Sequence, residues 1–243
     1  MSVLAVYNSK GGVGKTSLSI NLAWTAAYSG SKTLLWDLDP QGASSFTLQH
    51  LGGLGQSVEK LLSGKRDWAD RVVSTDYERL SLLPSDMALR NWDILLDEEK
   101  KSKKLLGEWL KPLREKFSVI ILDCPPGLTL LSENIFRAAD RLLVPVVPAP
   151  LSLRTLSQIQ RHFAAEERDE AMIVPIASMV DLRKKVHKEM VAELEKMPNS
   201  LRTVVPVMAE VERMGLAGVP SAARLGSRSR DVFQTLWQEL NTK

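Results

Sequence analysis

The sequence predicts an α/β fold: a single doubly wound, mostly parallel sheet flanked by helices, built from residues 1–243 as one domain. Two observations predict it. Short apolar runs alternate with longer amphipathic stretches along the whole chain, the order that lays helices over a parallel sheet. The apolar runs are also continuous rather than alternating, as strands buried on both faces require.

Each element follows from its residues. Residues 3–7, Val-Leu-Ala-Val-Tyr, read as a buried strand. A helix at 16–29 follows and is stopped by Gly30, because glycine reaches the left-handed region that ends helices. Residues 33–36 form the next strand. After a loop comes a short segment at 57–62. A second helical region runs from 86 to about 117, broken near Pro112, since proline removes a backbone donor and crowds the preceding turn. Residues 119–122, Val-Ile-Ile-Leu, form a strand, 131–139 a helix, and 141–147 a strand containing Pro145. Residues 152–168 are helical, 172–177 a strand and 184–196 a helix. Val204 and Val205 end a short strand before Pro206, and 230–240 close the chain as a helix. The charged run 97–104 reads as a solvated helix face or junction. No linker, low-complexity tract or internal repeat is visible.

Composition excludes several classes. Apolar residues make up 44% and charged residues 25%, which rules out a disordered or collagen-like chain. One cysteine, Cys124, excludes an internal disulfide framework and suits a reducing cytosol. No run of 18 apolar residues is present to span a membrane. The opening residues lack the basic flank and cleavage site of a signal peptide. Lys and Arg number 32 against 29 Asp and Glu, a net +3 that permits a polyanionic partner without arguing for one.

The most informative segment is Ser9-Lys10-Gly11-Gly12-Val13-Gly14-Lys15-Thr16, with Ser17 behind it. It follows a strand and opens a helix, the context a phosphate-cradling loop requires. Its glycines let backbone N–H groups approach phosphate oxygens, and the helix start adds partial positive charge. Lys15 can reach the β and γ phosphates as a point charge, and the Thr16 hydroxyl can ligate Mg²⁺. The strict pattern G-x-x-x-x-G-K-[ST] fails at its first position, which is Ser9, and an extra lysine, Lys10, precedes the glycines. Asp37-Leu38-Asp39-Pro40-Gln41-Gly42 follows the second strand, and Asp123-Cys124-Pro125-Pro126-Gly127 follows the strand at 119–122. Ligands of doubly wound sheets bind beyond such strand ends. Asp123 takes the place of a Mg²⁺-side carboxylate.

On these segments the chain resembles the deviant Walker-A ATPases of the ParA/MinD group, ParA more than MinD. Residues 178–183 and the Ser227-Arg228-Ser229-Arg230 stretch match as well. Two departures are Ala43, where the family often has asparagine, and Val207, where chromosomal members usually carry arginine. The resemblance implies an ATPase that uses ATP and Mg²⁺ and closes face to face as a homodimer over two nucleotides. Lys10 would reach the partner subunit's phosphates, neutralising γ-phosphate charge as an arginine finger does. Asp39 would orient the attacking water, sense the γ-phosphate and join Thr16 and Asp123 in holding the metal. Asp37 would support the switch or the Mg²⁺ shell, and Asp123 would hold Mg²⁺ through water. Met179, Asp181 and Pro206 are adenine-pocket candidates.

The resemblance also implies non-specific binding to nucleoid DNA. Residues 183–230 hold ten basic and five acidic side chains, 10 − 5 = +5, above the whole-chain +3. Arg183 and Arg213 are the first candidates, then Arg202, Arg224, Arg228 and Arg230. The expected cargo is a plasmid, a chromosome region or a protein cluster, with hydrolysis stimulated by a ParB-like or adaptor protein. The expected location is cytoplasmic and nucleoid-associated. The phosphate loop begins within ten residues of Met1, so no N-terminal helix-turn-helix and no site-specific repressor role are expected. The alternative is a MinD-like membrane-associated positioning ATPase. It needs a basic amphipathic C-terminal helix. Here Val232, Phe233, Leu236, Trp237 and Leu240 face one side, while Asp231, Gln234, Gln238 and Glu239 dominate the other, so the helix reads as core-packing and no membrane contact is expected. An iron–sulfur-bridged dimer is excluded, because two chains supply only two Cys124 sulfurs of the four required. His50, His162 and His187 are too scattered to form a metal cluster.

Overall fold

The computed structural model describes residues 2–54, 58–62, 67–97 and 103–242. β1 (Ser2–Val6) leads through a glycine-rich loop into α1 (Lys15–Tyr28), then β2 (Thr33–Asp37) and α2 (Ala43–Thr47). α3 (Val58–Leu62) precedes two short strands, β3 (Val73–Ser74) and β4 (Leu80–Leu83). Next come α4 (Trp92–Asp97), α5 (Leu105–Lys116), β5 (Val119–Asp123) and α6 (Leu130–Ala138). β6 (Arg141–Val146), α7 (Pro150–Ala165), β7 (Ile173–Val180) and α8 (Lys185–Glu195) follow. The chain closes with β8 (Val205–Pro206), α9 (Ala209–Glu212), α10 (Met214–Ala217) and α11 (Arg228–Thr242).

The eight strands form one sheet in the order β3-β4-β2-β5-β1-β6-β7-β8. Every pairing is parallel except β3 with β4. Side chains alternate between two cores, as strand geometry dictates. Val3, Ala5, Leu34 and Trp36 face one, while Leu4, Val6 and Leu35 face the other. The first core holds four tryptophans, with Trp68 packed on Trp36, Trp92 and Trp109 at ring separations of 5.1–5.7 Å. The second is roofed by α1 and α11, with Phe233, Leu236, Trp237 and Leu240 all buried. The apolar face of the last helix is thus occupied by the protein's own core.

Three expectations change. β3 and β4 were not foreseen. β4 is four residues, Leu-Ser-Leu-Leu, without a β-branched side chain, and it exists as a strand because β2 pairs with it. The expected break at Pro112 is absent, and α5 runs through it. Leu106, Trp109, Leu110 and Leu113 recur at helical spacing and are buried, so packing of that stripe outweighs the missing backbone donor. The strand expected at 172–177 extends to Val180 as β7. Ser57 and most of the charged run 97–104 lie outside the described residues.

Candidate nucleotide site

The site grows from the carboxyl ends of three adjacent strands. Val6 of β1 and Asp37 of β2 are both in register with Asp123 of β5, so the glycine-rich loop and two carboxylates share one edge. Gly12 and Gly14 take φ of 70° and 93°. A Cβ on Gly14 would also stand 3.1 Å from Ser178 Oγ, so the position demands glycine twice over. The loop is pinned from outside. Ser178 Oγ donates to the Val13 carbonyl at 3.1 Å, and Gly127 N–H donates to the Ser9 carbonyl at 3.0 Å. Asn8 accepts from Lys10 N–H and donates to the Pro145 carbonyl.

Lys15 is buried at the first turn of α1, its Nζ donating to the Lys10 carbonyl at 2.9 Å. Burial pushes its ammonium below the ordinary lysine value, opposed first by the charge of Asp123 and also by that of Asp39. Such a cation gains from an anion brought to the loop.

Asp37 and Asp123 are fully buried neighbours. Asp37 accepts from Ser45 N–H at 2.8 Å and Ser45 Oγ at 2.7 Å. Burial, then the Asp123 charge, raises it to about 7, against the pull of hydrogen bonds from Ser45 and Asp39. Asp123 accepts from Ser44 Oγ at 2.6 Å and Ser19 Oγ at 3.1 Å. Burial raises it to about 6, while hydrogen bonds from Ser44, Thr16 and Ser19 hold it down. Two desolvated carboxylates beside a threonine hydroxyl suit a divalent cation, whose charge would relieve their repulsion. Asp39 is partly buried one turn out, accepting from Gln41 N–H at 3.0 Å. Its carbonyl accepts from Ser85 Oγ, which ties the Asp37-to-Gly42 segment to the chain after β4.

A cavity of about 390 Å³ opens beside the loop, lined by Gly12, Gly14, Thr16 and Ser17 and by Met179 and Pro206. Met179 sits at φ 55° in a bulge of β7 against β8. Bulges re-aim side chains in this way. The structure therefore joins Met179 and Pro206 to the phosphate loop. It separates Asp181, which lines an adjoining notch and not this cavity. Sequence reasoning missed Ser19, Ser44 and Ser45. Ser19 could have been found, since it lies one helical turn beyond Lys15 on the same face. Ser44 and Ser45 follow Gly42 in a short helix that only the fold turns inward. Cys124 is buried with its thiol pushed well up by burial, fitting a small packing residue.

Among the basic candidates, Arg183, Arg202, Arg213, Arg224 and Arg228 are exposed. Arg230 is partly buried and held by backbone carbonyls. Its Nε donates to the Ala222 carbonyl at 2.9 Å and its Nη2 to the Ala223 carbonyl at 2.7 Å. The same guanidinium lies 5.0 Å from the Trp24 ring and 5.3 Å from the Tyr28 ring. It clamps the chain before α11 onto α1. Among the described residues, no helix is long and apolar enough to cross a membrane, and no group of three His, Cys, Asp or Glu side chains could hold a metal.

The AAA_31 family (AAA domain) matches residues 1–172. The chain is 31% identical to the sporulation initiation inhibitor protein Soj of Bacillus subtilis, over 98% of this chain and 97% of that one. It is 34% identical to the chromosome partitioning protein ParA of Caulobacter vibrioides, over 66% of this chain and 61% of that one. A plasmid partition protein of Borrelia burgdorferi solved with AMPPNP superposes with a TM-score of 0.87 at 20% identity, over 99% and 98% of the two chains. With the phosphate loop, the in-register aspartates and near full-length similarity to Soj, the chain belongs to the Soj/ParA family of P-loop ATPases.

Proposed function

We propose that this chain works as one unit, an ATP- and Mg²⁺-dependent switch that dimerises on ATP, binds nucleoid DNA without sequence preference and positions a cargo. The observation that carries the reading is the pair Lys10 and Lys15 at the two ends of one glycine turn, above the buried pair Asp37 and Asp123. One lysine serves the subunit's own triphosphate, and the second reaches the partner subunit's. Thr16, Asp39 and Asp123 would hold Mg²⁺, which there would supply charge neutralisation of the phosphates. Asp39 orients the attacking water. Asp37 caps α2 through Ser45 and so sets the position of Asp39. Gly11, Gly12, Val13, Gly14 and Ser17 line the phosphates, and Met179 and Pro206 flank the base. Arg183, Arg202, Arg213, Arg224 and Arg228 form the DNA-facing set. A ParB-like or adaptor protein stimulates hydrolysis. The membrane-positioning alternative loses support, because the apolar face of α11 is buried against the core.

The test is Lys10→Ala. ATP binding by titration calorimetry is expected to persist, while partner-stimulated hydrolysis falls to background. Undiminished turnover in that variant overturns the shared-lysine mechanism.

A further inference from the structure

Behind the nucleotide-side cavity lies a second one of about 530 Å³, sharing Met179, Pro206 and Val207 with the first. Its charged lining among the described residues is Arg183, Lys184 and Arg228 against one acid, Asp181, with His187 beside them. Asp181 is engaged by Arg183 through two parallel bonds. Nε meets Oδ1 and Nη2 meets Oδ2, each at 2.9 Å, and the Arg183 backbone N–H adds a third at 3.1 Å. The Asp181 backbone N–H donates to His187 Nδ1 at 3.0 Å, which fixes the residue to α8. The Asp181 side chain is 18% exposed and that of Arg183 is 91% exposed. The carboxylate is therefore part of the wall, and the guanidinium lies over it from the solvent side. The arginine fork holds the Asp181 carboxyl well below the usual carboxylate range.

A phosphate presents the same two-oxygen edge to a guanidinium as a carboxylate does. Most exposed ion pairs are weak, and the bidentate ones are the exception. We propose that this notch is a backbone-phosphate site in which Asp181 occupies the phosphate's place, an internal competitor that keeps Arg183 from DNA. The proposal rests on the DNA-binding reading above and adds its regulation. DNA must displace the carboxylate, so the basic surface is partly self-neutralised until the chain rearranges. Because the notch shares Met179 and Pro206 with the nucleotide-side cavity, occupancy of one wall bears on the other.

The experiment measures fluorescence anisotropy of a labelled duplex without nucleotide, over a salt series, for wild type, Asp181→Asn, Arg183→Ala and the double variant. Asparagine keeps the size and an acceptor oxygen, so the turn is retained. Asp181→Asn is expected to tighten DNA binding about three- to fivefold and steepen the salt slope by about one. That gain is expected to vanish in the Arg183→Ala background. A gain that survives there is a mere change of net charge and overturns the proposal, as does no gain at all. Wild type with AMPPNP and Mg²⁺ separates the two failures. If it binds DNA while Asp181→Asn shows no gain, the competitor idea alone falls. If nothing binds DNA in any state, the DNA reading falls and takes the proposal with it. Inorganic phosphate displacing duplex from Asp181→Asn beyond the effect of chloride at equal ionic strength would mark a free-anion site instead, and also overturn it.

Discussion

Gly14 shows how much of the site is fixed by single residues. Its φ of 93° costs any residue with a Cβ about 1–2 kcal/mol, and that Cβ would crowd Ser178 Oγ at 3.1 Å. Gly14→Ala is expected to destabilise the protein by at least about 1–2 kcal/mol, read from the urea midpoint. An unchanged midpoint would contradict the geometry. Asp39 makes a different kind of prediction, because among the described residues its side chain accepts from a local backbone N–H, that of Gln41, and stabilises little. Asp39→Ala is expected to fold and bind ATP normally while hydrolysis drops about 10²-fold or more, measured by phosphate release. The glycine loop, Lys15 and Asp123 were legible in the sequence because strand, loop and helix are contiguous there. Ser44 and Ser45 were not: the bond of Ser44 to Asp123 exists only once β2 and β5 lie side by side, and that of Ser45 to Asp37 only once the chain after β2 folds back as α2. The packing of Arg230 was hidden for the same reason. Nothing local reveals that Trp24 and Tyr28, some two hundred residues earlier, provide its seat.

At the scale of elements, packing overrides local propensity. α5 keeps Pro112 in its interior because four apolar side chains on one stripe are buried. The proline still removes a backbone hydrogen bond. Pro112→Ala is expected to stabilise the protein by about 1–3 kcal/mol, checked by thermal and urea denaturation. Loss of stability would mean that the ring itself fills core space. The central strands were legible as continuous apolar runs. β4 was not, because four residues of leucine and serine carry no periodicity that separates strand from loop. Its strand character comes from its partner β2. The chain after it brings Ser85 onto the Asp39 carbonyl and the Ser45 hydroxyl, bracing the Asp37-to-Gly42 segment.

For the whole molecule, one sheet sets out the working parts. The glycine-rich loop, Asp37, Asp123 and the cavity of about 390 Å³ all stand at the carboxyl ends of β1, β2, β5 and β7. The segment after β8 walls that cavity with Met208, Val211 and Met214 and also carries Arg213. Asn21 of α1 fastens it, accepting from Ala222 N–H at 2.8 Å and Ser221 Oγ at 3.1 Å. Through Asn21, the helix that opens at the glycine-rich loop is thus tied to the segment that carries Arg213. The most direct test is the solution mass by light scattering with AMPPNP and Mg²⁺ at saturating occupancy. The account predicts twice the 27.0 kDa protomer with the analogue and a single protomer with ADP. A single protomer in both states, with nucleotide bound, would contradict it.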